Sequence, residues 1–156
     1  MKGKVLILAL GLTLFTAFNA SAFTAAVGGE YSLKLADGLP NSALLSFRLP
    51  KFPAVFGLGL TLPTVGDASM VLLADWWLAK GNLVSFVNYY VGPGAFLGIS
   101  RTATLGVRVP VGLNAYPIKP LELFVELAPA MTIIDTTGVS IPQWGLQAGF
   151  GFRFWF

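Results

Sequence analysis

Between positions 104 and 114 the chain alternates. Leu105, Val107, Val109, Val111 and Leu113 make one set; Gly106, Arg108, Pro110, Gly112 and Asn114 make the other. A period of two marks a strand with two unlike faces. The next stretch repeats it, with Leu121, Leu123, Val125 and Leu127 against Glu122, Phe124, Glu126 and Ala128. The C-terminal run LQAGFGFRFWF sets Leu146, Phe150, Phe152, Phe154 and Phe156 against Gln147, Gly149, Gly151, Arg153 and Trp155. Near the start, Val27, Tyr31, Leu33 and Leu35 oppose Glu30, Ser32 and Lys34. The pattern predicts eight strands: 24–35, 42–49, 54–62, 68–78, 83–92, 104–114, 121–131 and 143–156. Turn chemistry separates them: ADGLPN, PKFP, PTVGD, AKGN, a longer stretch containing GPG, YPIKP, and TIIDTTGVSIP. The fifth strand either runs on through Ile99 or breaks at GPG in a bulge.

The strand charges share one register. Glu30, Lys34, Arg48, Asp75, Arg108, Glu122, Glu126 and Arg153 all lie opposite the large apolar residues. The remaining charges after residue 22 (Asp37, Lys51, Asp67, Lys80, Arg101, Lys119 and Asp135) fall in the predicted connections. Hydrophobic residues make up 55% of the chain and charged ones 11%, against about 25% charged in an ordinary soluble domain. Such a chain hides its apolar face in a core or in lipid. In lipid every backbone polar group needs a partner, so only helices and closed barrels span. Prolines interrupt the chain too often for apolar helical runs of about 20 residues. The fold class predicted is therefore all-β: an eight-stranded antiparallel up-and-down transmembrane barrel. Its apolar side chains face outward and its charges face the lumen, since Arg or Lys facing mid-bilayer lipid costs about 2–4 kcal/mol. Four acids and four bases inside are expected to pair, with Arg153–Glu122 near one end and Arg108–Glu126 near the middle. Trp77, Tyr90, Phe124 and Trp155 are expected to help fill the lumen beside the glycines. The rival is a water-soluble sandwich or barrel, which would carry more Lys, Glu, Thr and Asn on its wet face than this glycine-rich one does.

Residues 1–22 read as a cleaved signal peptide: Lys2 and Lys4, an apolar run from Val5 to Phe18, then Ala20-Ser21-Ala22. The barrel domain is then 23–156. Two of the ten basic residues leave with the leader, so eight face seven acids, and nothing in that balance suggests nucleic acid. Export places the chain in a bacterial outer membrane. An even strand number puts both mature termini on the periplasmic side. The expected partners are outer-membrane lipid and the secretion and barrel-assembly machinery, with the barrel a monomer. There is no cysteine and no histidine. Thiolate metal sites, disulfides, cysteine nucleophiles and imidazole bases are all excluded. No enzyme activity and no cofactor is expected; Ser69 and Asp75 read as a filler hydroxyl and a lumen carboxylate.

These residues resemble the small eight-stranded outer-membrane barrels, such as the OmpA transmembrane domain, OmpX and OmpW. Phe150, Phe152, Phe154 and Phe156 match the terminal pattern of those families, which implies a recognition signal for the barrel-assembly machinery. The segments NYYVGPGAFLGI and LGVRVPVGLNAYPIKPLELFVELAPAM are similar to a group of small bacterial, including spirochaetal, outer-membrane barrels. The resemblance brings no firm activity; an eight-stranded interior just wide enough for side chains, with balanced charges inside, points to a structural or surface role with a largely filled, ion-paired lumen. The alternative the resemblance implies is a narrow pore or conduit for small solutes, apolar ones included. Surface contacts are expected around 92–103 and 132–142.

Overall fold

The computed structural model of the chain describes residues 25–37, 40–62, 68–101, 103–135 and 142–156. The predicted leader and Asp67 lie outside them. The described residues hold strands and turns and no helix. The strands are β1 (Ala26–Lys34), β2 (Ser42–Arg48), β3 (Ala54–Thr61), β4 (Met70–Trp76), β5 (Ala79–Val84), β6 (Val87–Val91), β7 (Gly94–Ile99), β8 (Ala103–Arg108), β9 (Val111–Ile118), β10 (Leu121–Asp135) and β11 (Gln143–Trp155). β4 with β5, β6 with β7, and β8 with β9 each form one interrupted stave, so the wall has eight staves, every neighbour antiparallel. The sheet closes because β11 pairs with β10 on one side and with β1 on the other. The Phe156 N–H donates to the Ala25 carbonyl at 2.9 Å, which finishes the seam. A closed sheet abolishes edges, so nearly every strand has two partners.

Partners followed once round the wall from Ala26 run through Arg48, Val55, Asp75, Gly94, Arg108, Ala130 and Gly145. They return to the first stave at Ala36, whose N–H meets the Leu146 carbonyl at 3.1 Å. That stagger of about ten residues tilts the staves, as closure of a small barrel requires. The staves differ in length: β2 has 7 residues and β3 has 8, while β10 has 15 and β11 has 13.

Four predicted connections fall wholly or partly elsewhere; of TIIDTTGVSIP, Thr132–Asp135 belong to β10, so Asp135 lies in a strand. AKGN is strand, in β5, and the turn comes at Ser85-Phe86, with Ser85 at φ 47°. Lys80 therefore lies in a strand. The stretch around GPG is strand too: β6 and β7 break only at Gly92-Pro93, so most of 92–103 is wall rather than loop. β9 runs on through Tyr116 and Pro117 to Ile118, and the turn shrinks to Lys119-Pro120.

Two of the three breaks, β6/β7 and β8/β9, fall at proline. Pro93, Pro110 and Pro129 stand on three neighbouring staves, and each lacks the N–H of an ordinary ladder residue. Their carbonyls still accept, from Trp76 at 2.7 Å, Gly92 at 3.3 Å and Val109 at 2.9 Å. The register stays continuous across β8–β9 and β10, so this is a line of missing donors and not a dislocation. On the fourth stave the break is a bulge: Asp75 faces Gly94, but Ala79 faces Val91. Trp77 keeps the inward parity of Asp75, 4% exposed, and the extra residue moves the inward set to Lys80 and Asn82 beyond it.

β10 shows how the faces divide. Leu123, Val125 and Leu127 are 44%, 53% and 51% exposed, while Glu122, Phe124, Glu126 and Ala128 are 0%, 3%, 7% and 1%. Large apolar side chains form the outer surface, and arginines 108 and 153 are among the largest wholly buried residues.

Candidate functional site: the filled lumen

The lumen is organised in two ionic layers. The first centres on Glu122. Its Oε1 accepts from Arg48 Nη1 at 2.9 Å, Asn114 Nδ2 at 3.0 Å and Arg153 Nη1 at 3.2 Å, and its Oε2 accepts from Trp155 Nε1 at 2.8 Å. A carboxylate removed from water keeps its charge cheaply only with such a set of donors. Arg153 is itself held twice more, by Ser46 Oγ at 2.9 Å and by the Phe124 ring at 3.8 Å. Arg48 lies 4.0 Å over the Trp77 ring, which stacks on Tyr90 with centroids 3.8 Å apart. Arginine over an aromatic face gains cation–π energy while it excludes water.

The second layer centres on Arg108. It bonds Glu126, reaches Asp75 Oδ1 at 3.1 Å and donates to Gln147 Oε1 at 3.3 Å. Tyr90 donates its hydroxyl to Glu126 Oε2 at 2.8 Å. Glu30 is buried beside this layer, and its Oε1 has no hydrogen-bond partner. The Nε2 of Gln147 is likewise unpartnered.

Around these layers glycines act as sockets. Each accepts a large side chain from its direct cross-strand partner. A Cβ on Gly106 would overlap the ring of Phe96, and one on Gly112 the ring of Tyr90. On Gly151 it would lie 2.7 Å from Phe124 Cζ, and on Gly149 2.9 Å from Glu126 Cγ. The glycine-rich inner face therefore leaves no open bore here: neighbours occupy the volume that the missing side chains release.

Of the predicted lumen residues, the structure brings Arg48, Glu122 and Arg153 into one layer and Asp75, Arg108, Glu126 and Glu30 into or beside the other. Lys34 stands apart. It is exposed at the end of β1 and lies 3.9 Å from Asp37. Its parity is inward, but the wall ends at that height, so it meets solvent rather than the network. Among the described residues the interior thus holds three arginines and four acids, and Glu30 is the carboxylate without a cation of its own. Strand alternation does not single out Asn114, Gln147 or Ser46, which complete the bonds; each shares the inward register with the charges. Phe150, Phe152 and Phe154 point outward, 49%, 45% and 41% exposed, and Phe156 is half-buried at the seam. Against known protein families, curated proteins and solved structures, the chain finds no match.

Proposed function

We propose that this chain is a small integral outer-membrane barrel of structural or surface type, held shut by its own lumen. One observation carries the reading: the charges lie inside and the grease lies outside. A water-soluble barrel would bury Leu105, Val107, Leu123 and Val125 and expose Arg108 and Glu126. Here the outer belt is apolar around the wall and the ions are sealed within. The leader-like start, the OmpA-, OmpX- and OmpW-like ending and the scarcity of charge support the same address. In this reading both mature termini face the periplasm, lipid covers the belt, and Phe150, Phe152, Phe154 and Phe156 present the assembly signal. The barrel acts as a monomer and without enzyme chemistry.

A closed lumen argues against the conduit alternative. Arg108 with its carboxylates, the Trp77–Tyr90 stack and the ring-in-glycine contacts occupy the bore. Planar-bilayer recording on refolded protein tests this. The expected result is a silent membrane from a sample that shows heat-modifiable gel migration. Reproducible single-channel steps that change when Glu126 or Arg108 is neutralised would replace the plug with a pore.

A further inference from the structure

At the end of the barrel where Ala25 meets Phe156, the lumen opens into a cavity of about 210 Å³, lined by Arg48, Trp77, Lys80, Asn82, Asn88, Asn114 and Tyr116 among others. We propose that this cavity is a binding site for a small hydroxylated anion, a sugar-sized molecule that carries a carboxylate or a phosphate.

Three features build it. First, β5 and β6 continue past the β2–β3 turn as a hairpin, and β9 backs them. The overhang turns the inner face of the sheet into the wall of a cup. Second, that face carries a row of amides: Asn82 pairs directly with Asn88, and Asn88 with Asn114. Asn82 Nδ2 donates to Asn88 Oδ1 at 3.1 Å, and Asn114 Nδ2 to Glu122 at 3.0 Å. The Nδ2 groups of Asn82 and Asn114 are spent on Ser85, Val87, Asn88, Tyr116 and Glu122, which leaves Asn88 Nδ2 as a donor and the Oδ1 atoms of Asn82 and Asn114 as acceptors for hydroxyl groups. Third, the charge at this mouth is out of balance. The Glu122 carboxylate serves both Arg48 and Arg153, and no described carboxylate pairs with Lys80. The mouth thus carries an excess of positive charge beside a low-dielectric wall, where an anion is attracted more strongly than at an open surface. The Arg48–Trp77 stack holds the cation rigid.

The next layer inward has the reverse excess, with Asp75, Glu126 and Glu30 around Arg108. An anion is drawn into the cup and stopped below it, so the site binds and does not conduct.

Isothermal titration calorimetry on the detergent-refolded mature barrel tests the proposal, whether or not the barrel proves to be a membrane protein. The probes are glucuronate, glucose 6-phosphate, glucose and inorganic phosphate. Glucuronate or glucose 6-phosphate, whichever class the cup takes, should bind at least tenfold more tightly than glucose and than phosphate alone. Lys80→Met and the double variant Asn82→Ala/Asn88→Ala should each weaken that binding at least tenfold. Lys51→Met, in the neighbouring β2–β3 turn, should leave it unchanged. Heat-modifiable migration checks that every variant is folded. Four results each overturn the proposal: no heat from either sugar anion at millimolar concentration; equal binding of glucose; equal binding of bare phosphate; or equal loss in Lys51→Met and Lys80→Met.

Discussion

Replacing Arg108 with methionine separates the two things a buried arginine can do, fill space and neutralise charge. Arg108 is 2% exposed and holds Asp75, Glu126 and Gln147. Methionine keeps most of the volume and removes the cation. Asp75, Glu126 and the nearby Glu30 would then share the lumen with no arginine of their own layer. Stranding one partner of a buried pair costs about 3–5 kcal/mol. Removing the charges together is different: neutral groups of similar shape often restore, or even raise, stability. The triple variant Arg108→Met/Asp75→Asn/Glu126→Gln should therefore lie within about 1–2 kcal/mol of the parent, a coupling far above the 0.5 kcal/mol error of additivity. The assay is urea unfolding of the refolded barrel in detergent, followed by gel mobility and tryptophan fluorescence. If Arg108→Met unfolds with the parent, the ion layer does not hold the lumen together. If the triple variant is as weak as the single one, lost packing rather than stranded charge explains the cost.

Val125→Lys places a cation in the middle of the outer belt; in lipid vesicles it should cost about 2–4 kcal/mol. A change within about 0.5 kcal/mol, normal for a water-exposed site, would refute the lipid-facing assignment. Gly106→Ala drives a methyl against Phe96 and the Met131 carbonyl and should lose about 1–3 kcal/mol in the same urea assay. Gly29→Ala meets only the tip of Phe152, at 3.6 Å, and should be neutral or gain up to about 1 kcal/mol; reversal of that order would sink the socket description. Removing Phe156 from the expressed precursor should lower the folded, outer-membrane-associated fraction in cells while the purified chain still refolds in detergent, and an unchanged fraction would dismiss it as an assembly signal.

Where alternation was strong, the fold could be read from residues alone. β10 and β11 lie where Leu121–Leu127 and Phe150–Phe154 put them, because one face carries the large apolar side chains and the other lines the ionic interior, and a slip by one residue would exchange the two. The middle of the chain was harder. Lys80-Gly81-Asn82 has the composition of a turn, yet Gly81 is there to admit the Tyr89 ring and the asparagines to line a cup. The actual turn uses Ser85 at positive φ, a place more often given to glycine or asparagine. Pro93, Pro110 and Pro129 look like strand breakers one at a time; only the three-dimensional wall shows that they stand side by side. Lys34 exposes another limit. Parity tells which way a side chain points, but not whether wall still surrounds it at that height. Counting four acids against four bases therefore hid the odd carboxylate, Glu30.

The unequal staves have a mechanical consequence. At about 3.3 Å per residue and a tilt near 40°, β2 rises about 18 Å and β10 about 38 Å. A cylinder cut on such a slant has no upright posture in a bilayer of uniform thickness. Lipids must pinch together along the low flank or the whole body must lean. Embedded in an outer membrane as proposed, a molecule of this shape would perturb the leaflets on one side only, and neighbours that prefer thin membrane would gather there.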